Sequence, residues 1–187
     1  HPLEVDYIAA ADKYVDLLTD LIKDPEVRKK NPKRGEKIPE IMFIAAKTFY
    51  KHGKFQQAVK RLKILFEYDS KSKFAAYAVF TLLDCYQRLK QWPKVEEWAR
   101  KLIAAKNFTV RKKKDLQKIV AIAMTENARM LSMEKKYDVA GKEAMRVYEE
   151  FKRDKKMASK ALFNVAALYE SQKRVDKAIE TYKRVAR

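Results

Sequence analysis

The sequence predicts an all-α chain, a solenoid built from antiparallel helical hairpins. One short phrase recurs four times, an apolar or aromatic residue with a small or branched one three positions on. It reads Phe55…Ala58, Trp92…Val95, Tyr137…Ala140 and Val175…Ala178, at intervals of 37, 45 and 38 residues. A period in the thirties is that of a pair of helices, which buries its apolar face by stacking on its neighbours. The chain also has only 3 Gly and 5 Pro in 187 residues, too few turn formers for a many-stranded β fold. Ala, Leu, Lys, Glu and Arg, all strong helix formers, dominate it.

Taken in order, Glu4 to Lys23 puts Ile8, Ala11, Tyr14, Val15, Leu18, Leu21 and Ile22 on one stripe. That is an amphipathic helix, with Asp24-Pro25 as its stop. Arg28 to Lys37 carries Asn31-Pro32, Gly35 and several basic residues and reads as a surface loop. Residues 1–38 are therefore an incomplete N-terminal repeat or a capping helix, followed by a loop. Residues 39–187 hold about four hairpins, and the whole of 1–187 reads as one domain.

The first hairpin pairs Glu40–His52 with Phe55–Tyr68 about a turn at Gly53. The second pairs Phe74–Lys90 with Pro93–Ala105, where Pro93 suits the first turn of a helix. A long helix near Val110–Lys135 and then Asp138–Arg153 make the third, and Lys155–Lys173 with Asp176–Arg187 the fourth. Small residues such as Ala46 with Ala58, Ala128 with Ala140 and Ala166 with Ala178 let the backbones approach. Larger ones, Phe49, Tyr86, Leu131 and Tyr169, fill the space toward the next hairpin. The 45-residue interval implies a longer first helix or loop before the third hairpin, carrying Arg111 to Lys114 beyond the outline of the others. Only the first turn has a glycine; Lys90, Lys135 and Lys173 stand in its place elsewhere.

With 43 basic against 25 acidic residues the formal charge is +18, a field that hastens encounter with acidic partners. The single cysteine, Cys85, excludes an internal disulfide and reads as a small buried apolar residue. No apolar run reaches the roughly 18 residues of a membrane span, and Lys47 interrupts the best one, Ile41 to Ala46. The chain starts at His1-Pro2 without a signal core and stops at Arg187 within a helical pattern. The expectation is a piece of a longer protein.

Groups for catalysis are sparse. His1 and His52 belong to no cluster of metal-ligand spacing, and Gly35, Gly53 and Gly141 make no phosphate loop. Glu96-Glu97 and Glu149-Glu150 fall on polar faces of second helices, where solvation or pairing with lysines four residues away accounts for them better than acid–base work. The reading is therefore no enzyme, no cofactor and no metal.

The run Ala161-Leu162-Phe163-Asn164-Val165-Ala166-Ala167-Leu168-Tyr169 through Ala178-Ile179-Glu180-Thr181-Tyr182 resembles the tetratricopeptide repeat family, as does Phe49-Tyr50-Lys51-His52-Gly53-Lys54-Phe55 with Ala58. That family's motif is a helix–turn–helix of about 34 residues with small and aromatic residues at fixed offsets. The resemblance covers about 150 of the 187 residues, and Ala10, Tyr14 and Leu17 are spaced like the second helix of a further repeat.

The resemblance implies a right-handed superhelix whose first helices line a concave groove for an extended peptide or a partner helix. Its groove positions fall here on Lys47, Tyr50, Tyr77, Phe80, Asp84, Arg129, Lys160 and Asn164, with Phe43, Gln87, Thr125, Phe163 and Glu170 beside them. Rings supply contact area and charges supply register. Some members clamp a C-terminal carboxylate, at places occupied here by Phe43, Lys47, Asp84, Ile122 and Glu126. Only Lys47 is basic and Asp84 would repel a carboxylate, so no clamp of that kind is expected. The implied function is a non-catalytic scaffold for a partner protein or peptide, one with an acidic surface given the charge. Lys-rich degenerate arrays are also similar to those of bacterial envelope proteins that hold multi-protein machines together. That favours a periplasmic or outer-membrane-associated location over the cytoplasm.

The alternative is electrostatic binding to nucleic acid or an anionic membrane. The basic patch Arg111, Lys112, Lys113 and Lys114, with Lys152-Arg153 and Lys155-Lys156, would supply phosphate neutralisation. Base stacking needs interleaved rings, and only Phe108 and Phe151 are near. Nucleic acid is the less expected partner, and the basic runs read first as solvated faces.

Overall fold

The computed structural model describes residues 32–105 and 110–185, with 9, 10, 13, 14, 16, 17, 24, 26 and 29 besides; the side chains of 32–36, 110 and 111 lie outside it. Residues 32–105 and 110–185 hold eight helices, and no strand occurs among the described residues. They are α1 (Pro32–Lys51), α2 (Phe55–Tyr68), α3 (Lys73–Arg88), α4 (Trp92–Ala104), α5 (Val110–Met133), α6 (Tyr137–Phe151), α7 (Lys155–Ser171) and α8 (Val175–Val185). The chain is all-α, and the expected helices return within one or two residues except at the start of α1. It divides into two compact units, His1–Lys90 and Gln91–Arg187.

In the first unit α1 packs on α2, and α3 packs on both. Met42, Phe49, Leu62, Leu65, Val79, Leu82 and Leu83 form its core, none more than 1% exposed. Truncating one of them, Phe49→Ala for example, costs about 3–5 kcal/mol. Arg61 of α2 is buried and meets Asp16 at 2.8 Å, which ties N-terminal helical residues to this unit. Of the expected Glu4–Lys23 helix, 9, 10, 13, 14, 16 and 17 are helical and the rest lies outside the described residues.

Of the loop expected over Arg28–Lys37, the described residues, 29 and 32–37, are helical instead. Lys29 is helical, and α1 runs unbroken from Pro32, so Gly35 and Pro39 sit inside a helix. Pro32 at the first helical position forfeits nothing, because that N–H has no intrahelical partner anyway. Pro39 does remove a hydrogen bond. Ile38, Pro39 and Met42 are all buried, however, and burial of that face outweighs the missing bond. The breaker residues were visible in the sequence, but the surface they cover was not.

Two residues past the ends of α1, α3, α5 and α7 the backbone takes the same left-handed φ. Gly53 has φ +70°, and Lys90, Lys135 and Lys173 take φ 55°, 60° and 57° at the equivalent places. At three of the turns this residue's N–H bonds the carbonyl three back and the next N–H reaches five back. The pairs are Gly53 to Tyr50 and Lys54 to Phe49, Lys135 to Ser132 and Lys136 to Leu131, and Lys173 to Glu170 and Arg174 to Tyr169, all at 2.8–3.0 Å. Lys90 makes the first of these bonds, to Gln87, at 2.9 Å. The left-handed conformation costs a residue with a side chain about 1 kcal/mol. The lysines thus replace glycine in residue type and keep the same φ. The helices α3 and α7 begin on side-chain caps instead: Ser72 accepts from the Ala75 N–H at 3.0 Å and Asp154 from the Met157 N–H at 3.1 Å.

In the second unit each helix from α4 to α8 packs on the next, and α5 also touches α7. Val95, Leu116, Val120 and Met124 are at most 1% exposed. Ala128, Ala144 and Val165 bring α5, α6 and α7 together, with Met145, Leu168 and Tyr169 packed around them. The long interval is a longer first helix: α5 has 24 residues against 17 in α7, an excess of about two turns. Lys135 and Lys173 close the two helices alike, so the extra turns lie at the N-terminal end of α5 and carry Arg111 to Lys114.

Candidate functional site

In the first unit Lys47 on α1 and Tyr77 and Phe80 on α3 are exposed, Tyr77 to 63%. Phe43 lies against Phe74 and Tyr77, with ring centroids 6.2 and 6.3 Å apart, so α1 and α3 meet through aromatic rings. Tyr50 and Asp84, two of the residues assigned to the groove, are bonded to each other: Tyr50 Oη donates to Asp84 Oδ2 at 2.5 Å. Arg88 Nε donates to the same oxygen at 2.7 Å. Its guanidinium lies over the rings of Tyr50 and Phe55, which meet edge to face at 5.8 Å. Burial acts to raise the Asp84 carboxyl, but the hydrogen bonds from Tyr50 and Arg88 outweigh it and hold the group below its ordinary value. The bond to Asp84, followed by burial, pushes the Tyr50 phenol up. The polar ends of this pair join α1 to α3. Arg88 escaped the sequence reading, although Asp84 and Arg88 stand four apart on one helix face.

In the second unit the three residues assigned there converge. Arg129 of α5 and Lys160 and Asn164 of α7 line one cleft of about 340 Å³, with Ser132 and Ser171 at its end. A second hollow of about 370 Å³ adjoins it, sharing Thr125, Glu126 and Lys160. Ala121, Val147 and Ala161 floor this second hollow, Ile122 and Met157 stand on its walls, and Lys118 and Lys156 line it too. Early residues of α5 share a hollow with early residues of α7, and late residues with late ones. The two helices therefore run parallel, with one open channel between them. Its carboxylates are engaged within the chain: Glu126 accepts from Arg129 at 2.8 Å, and Asp154 caps α7. Lys118 and Met157 were given no place in the groove, and Ile122 only a clamp position it could not serve. The 38-residue offset that matches Lys118 with Lys156 was the signal that could have found the first of them.

The basic patch is helical. Lys112 and Lys114 are exposed and Lys113 is half-buried at the start of α5, while the side chain of Arg111 lies outside the described residues.

On the second helices, Glu97 accepts from Lys101 at 2.7 Å and Lys94 at 2.8 Å, which holds its carboxyl down at about 2. Glu149 pairs with Lys152 at 3.5 Å. The lysine pairing expected for Glu96 and Glu150 is replaced by arginine pairing between helices. Arg100 forks onto both oxygens of Glu150 at 2.9 and 2.6 Å and reaches Glu96 at 2.8 Å. Arg146 bridges Glu96 and Glu143. Arginine prevails because its planar fork satisfies two carboxylate oxygens at once. Cys85 is fully buried, and burial first, then the charge of Asp84, pushes its thiol up to about 12. Among the described residues no three His, Cys, Asp or Glu side chains gather as a metal requires, and no helix is long and apolar enough to cross a membrane.

No family model matches the chain, and no curated protein matches it. Among solved structures it is similar to a crystal structure of BtubC (BKLC) from P. vanneervenii, at 18% identity over 97% of this chain and 72% of that one, with a TM-score of 0.44. Likeness at that level leaves the functional reading to the chain's own residues.

Proposed function

We propose that the chain is a tetratricopeptide-like array, a right-handed superhelical solenoid of hairpins, that acts without catalysis as a scaffold for a partner protein or peptide. One observation carries this reading. Arg129, Lys160 and Asn164, assigned to a groove from their places in the repeat, line a single channel between parallel first helices. The shared turn conformation and the packing of α1 on α3 and α5 on α7 support the repeat. An apolar floor with polar walls suits a peptide laid between helices, since the floor gives area and the walls give register.

Random peptides selected on the immobilised chain test it, each re-assayed on R129E and N164A variants. Both side chains reach the surface, so the variants should melt with the wild type. Binders should weaken about tenfold on either variant, the effect of losing about 1.4 kcal/mol at an interface. Peptides held equally by wild type and both variants would sink the reading.

A further inference from the structure

Resting on the channel as a peptide groove, we propose that its N-terminal half selects an acidic segment carrying a bulky apolar side chain. The first argument is charge. α7 begins at this end of the channel, and its first turn, capped by Asp154, holds no acid. Lys155 and Lys156 stand there instead. Lys118 and Lys156, equivalent residues of successive repeats, line the same hollow. Lys118 has a loose partner, Asp115 at 3.6 Å, while among the described residues Lys156 and Lys160 have no ion-pair partner. Of the two carboxylates lining the hollow, Glu126 is matched by Arg129 and Asp154 caps α7, against Lys118, Lys156 and Lys160, so the lining keeps a positive excess for a ligand to neutralise.

The second argument is the apolar surface between those cations. Ile122 is 50% exposed, with Met157 across from it and the small side chains of Ala121 and Ala161 leaving the hollow open. An exposed isoleucine and an adaptable methionine around a hollow of this size form a seat for one large apolar side chain. Nucleic acid or a lipid headgroup would satisfy the lysines and leave that seat empty. A carboxylate-rich peptide with an apolar anchor fills both.

The test is fluorescence anisotropy with three short labelled peptides on the intact chain. One alternates glutamate and aspartate around two leucines, one replaces the leucines by serines, and one replaces the acids by lysines. The first should bind, the second about tenfold more weakly, and the third not at all. Binding of the first should fall about tenfold or more on K156E/K160E and on I122D, as charge reversal and loss of an anchor demand. Lys156 and Lys160 are exposed, so circular dichroism should show that double variant folded. Equal binding of the leucine and serine peptides, or competition by duplex DNA or phosphatidylserine vesicles as strong as by the peptide itself, overturns the proposal in favour of plain electrostatics. If selected neutral peptides occupy the channel and the acidic one does not, the proposal falls and the groove stands. If no peptide binds, both fall.

Discussion

The phenol of Tyr50 and the carboxylate of Asp84 meet at 2.5 Å across 34 residues of sequence, and Arg88 closes on the same oxygen from the helix of Asp84. The contact ties α1 to α3. A hydrogen bond to a charged acceptor is worth about 1.5–3 kcal/mol, and the 37% exposure of Asp84 puts this one near the bottom of that range or below it. Tyr50→Phe should therefore cost about 1 kcal/mol in urea unfolding. Asp84→Asn should cost less after Tyr50→Phe than alone, because the two share one bond. A Y50F variant as stable as wild type would remove the tie between the helices.

The same carboxylate sets a pH dependence. Its folded value lies below the ordinary one, so the unfolded state binds its proton first as pH falls. The contribution of Asp84 is fully present above about pH 5 and disappears as pH drops through the folded value. Glu97, held at about 2 by Lys101 and Lys94, adds a loss of the same sign over the same acidic range. The stability gap between wild type and D84N should be flat from neutral pH down to about 5 and close below that. A gap that persists unchanged into acid would show that the carboxylate charge plays no part.

The turn lysines make a prediction of opposite sign to most mutations. Lys135→Gly and Lys173→Gly relieve a left-handed conformation costing about 1–2 kcal/mol, while glycine returns about 0.5–1 kcal/mol of chain entropy to the unfolded state. Each should stabilise the fold by about 0.5–1 kcal/mol. Gly53→Ala should cost about 1 kcal/mol, and the cost is conformational alone, since an added Cβ at Gly53 meets nothing within 4 Å. Thermal unfolding of the three variants decides it. A lower melting temperature for K135G would place the stability of the turn in the lysine side chain itself.

Local order was legible wherever it rests on period and composition. Ala46, Leu83, Ala128 and Ala166 on first helices, and Ala58, Val95, Ala140 and Ala178 on second helices, keep the spacing of the repeat and are all buried. Arg129, Lys160 and Asn164, which the resemblance put in one groove, line one cleft. What the sequence hid depends on surfaces meeting at distance. Pro32 and Gly35 look like a loop until the burial of Ile38 and Met42 is seen. Arg100 and Glu150 stand 50 residues apart, no multiple of the cadence, so their pairing waits on how far the longer α5 offsets α4 from α6.

That pairing gives a prediction of its own. Both guanidinium nitrogens of Arg100 bond Glu150, while its Nε holds Glu96, so geometry as well as charge is in use. Arg100→Lys keeps the charge and loses the fork. It should cost about 1 kcal/mol, because Arg100 is 41% exposed and water screens part of the pair. Most of the effect should survive about 0.5 M salt if the fork matters more than the net charge. Equal stability of R100K and wild type at every salt concentration would reduce the pair to a surface contact.

Cys85 closes the set, because it reports opening of the first unit without perturbing it. The side chain has no exposed surface, and its thiol is pushed up to about 12, first by burial and then by the Asp84 carboxylate. In the unfolded chain the thiol returns to about 8.5, and only there is it both reachable and partly ionised near neutral pH. A thiol-specific reagent should therefore label the native chain at a rate set by opening of the structure. Y50F should quicken that labelling if the bond to Asp84 holds α1 against α3, since it raises the population of open molecules. With folded value above unfolded, the contribution of this group to stability is intact below about pH 8.5 and is lost as pH rises toward 12. Labelling of native protein as fast as that of the urea-unfolded chain would show that Cys85 is accessible, and with it the whole packing of α3 would need revision.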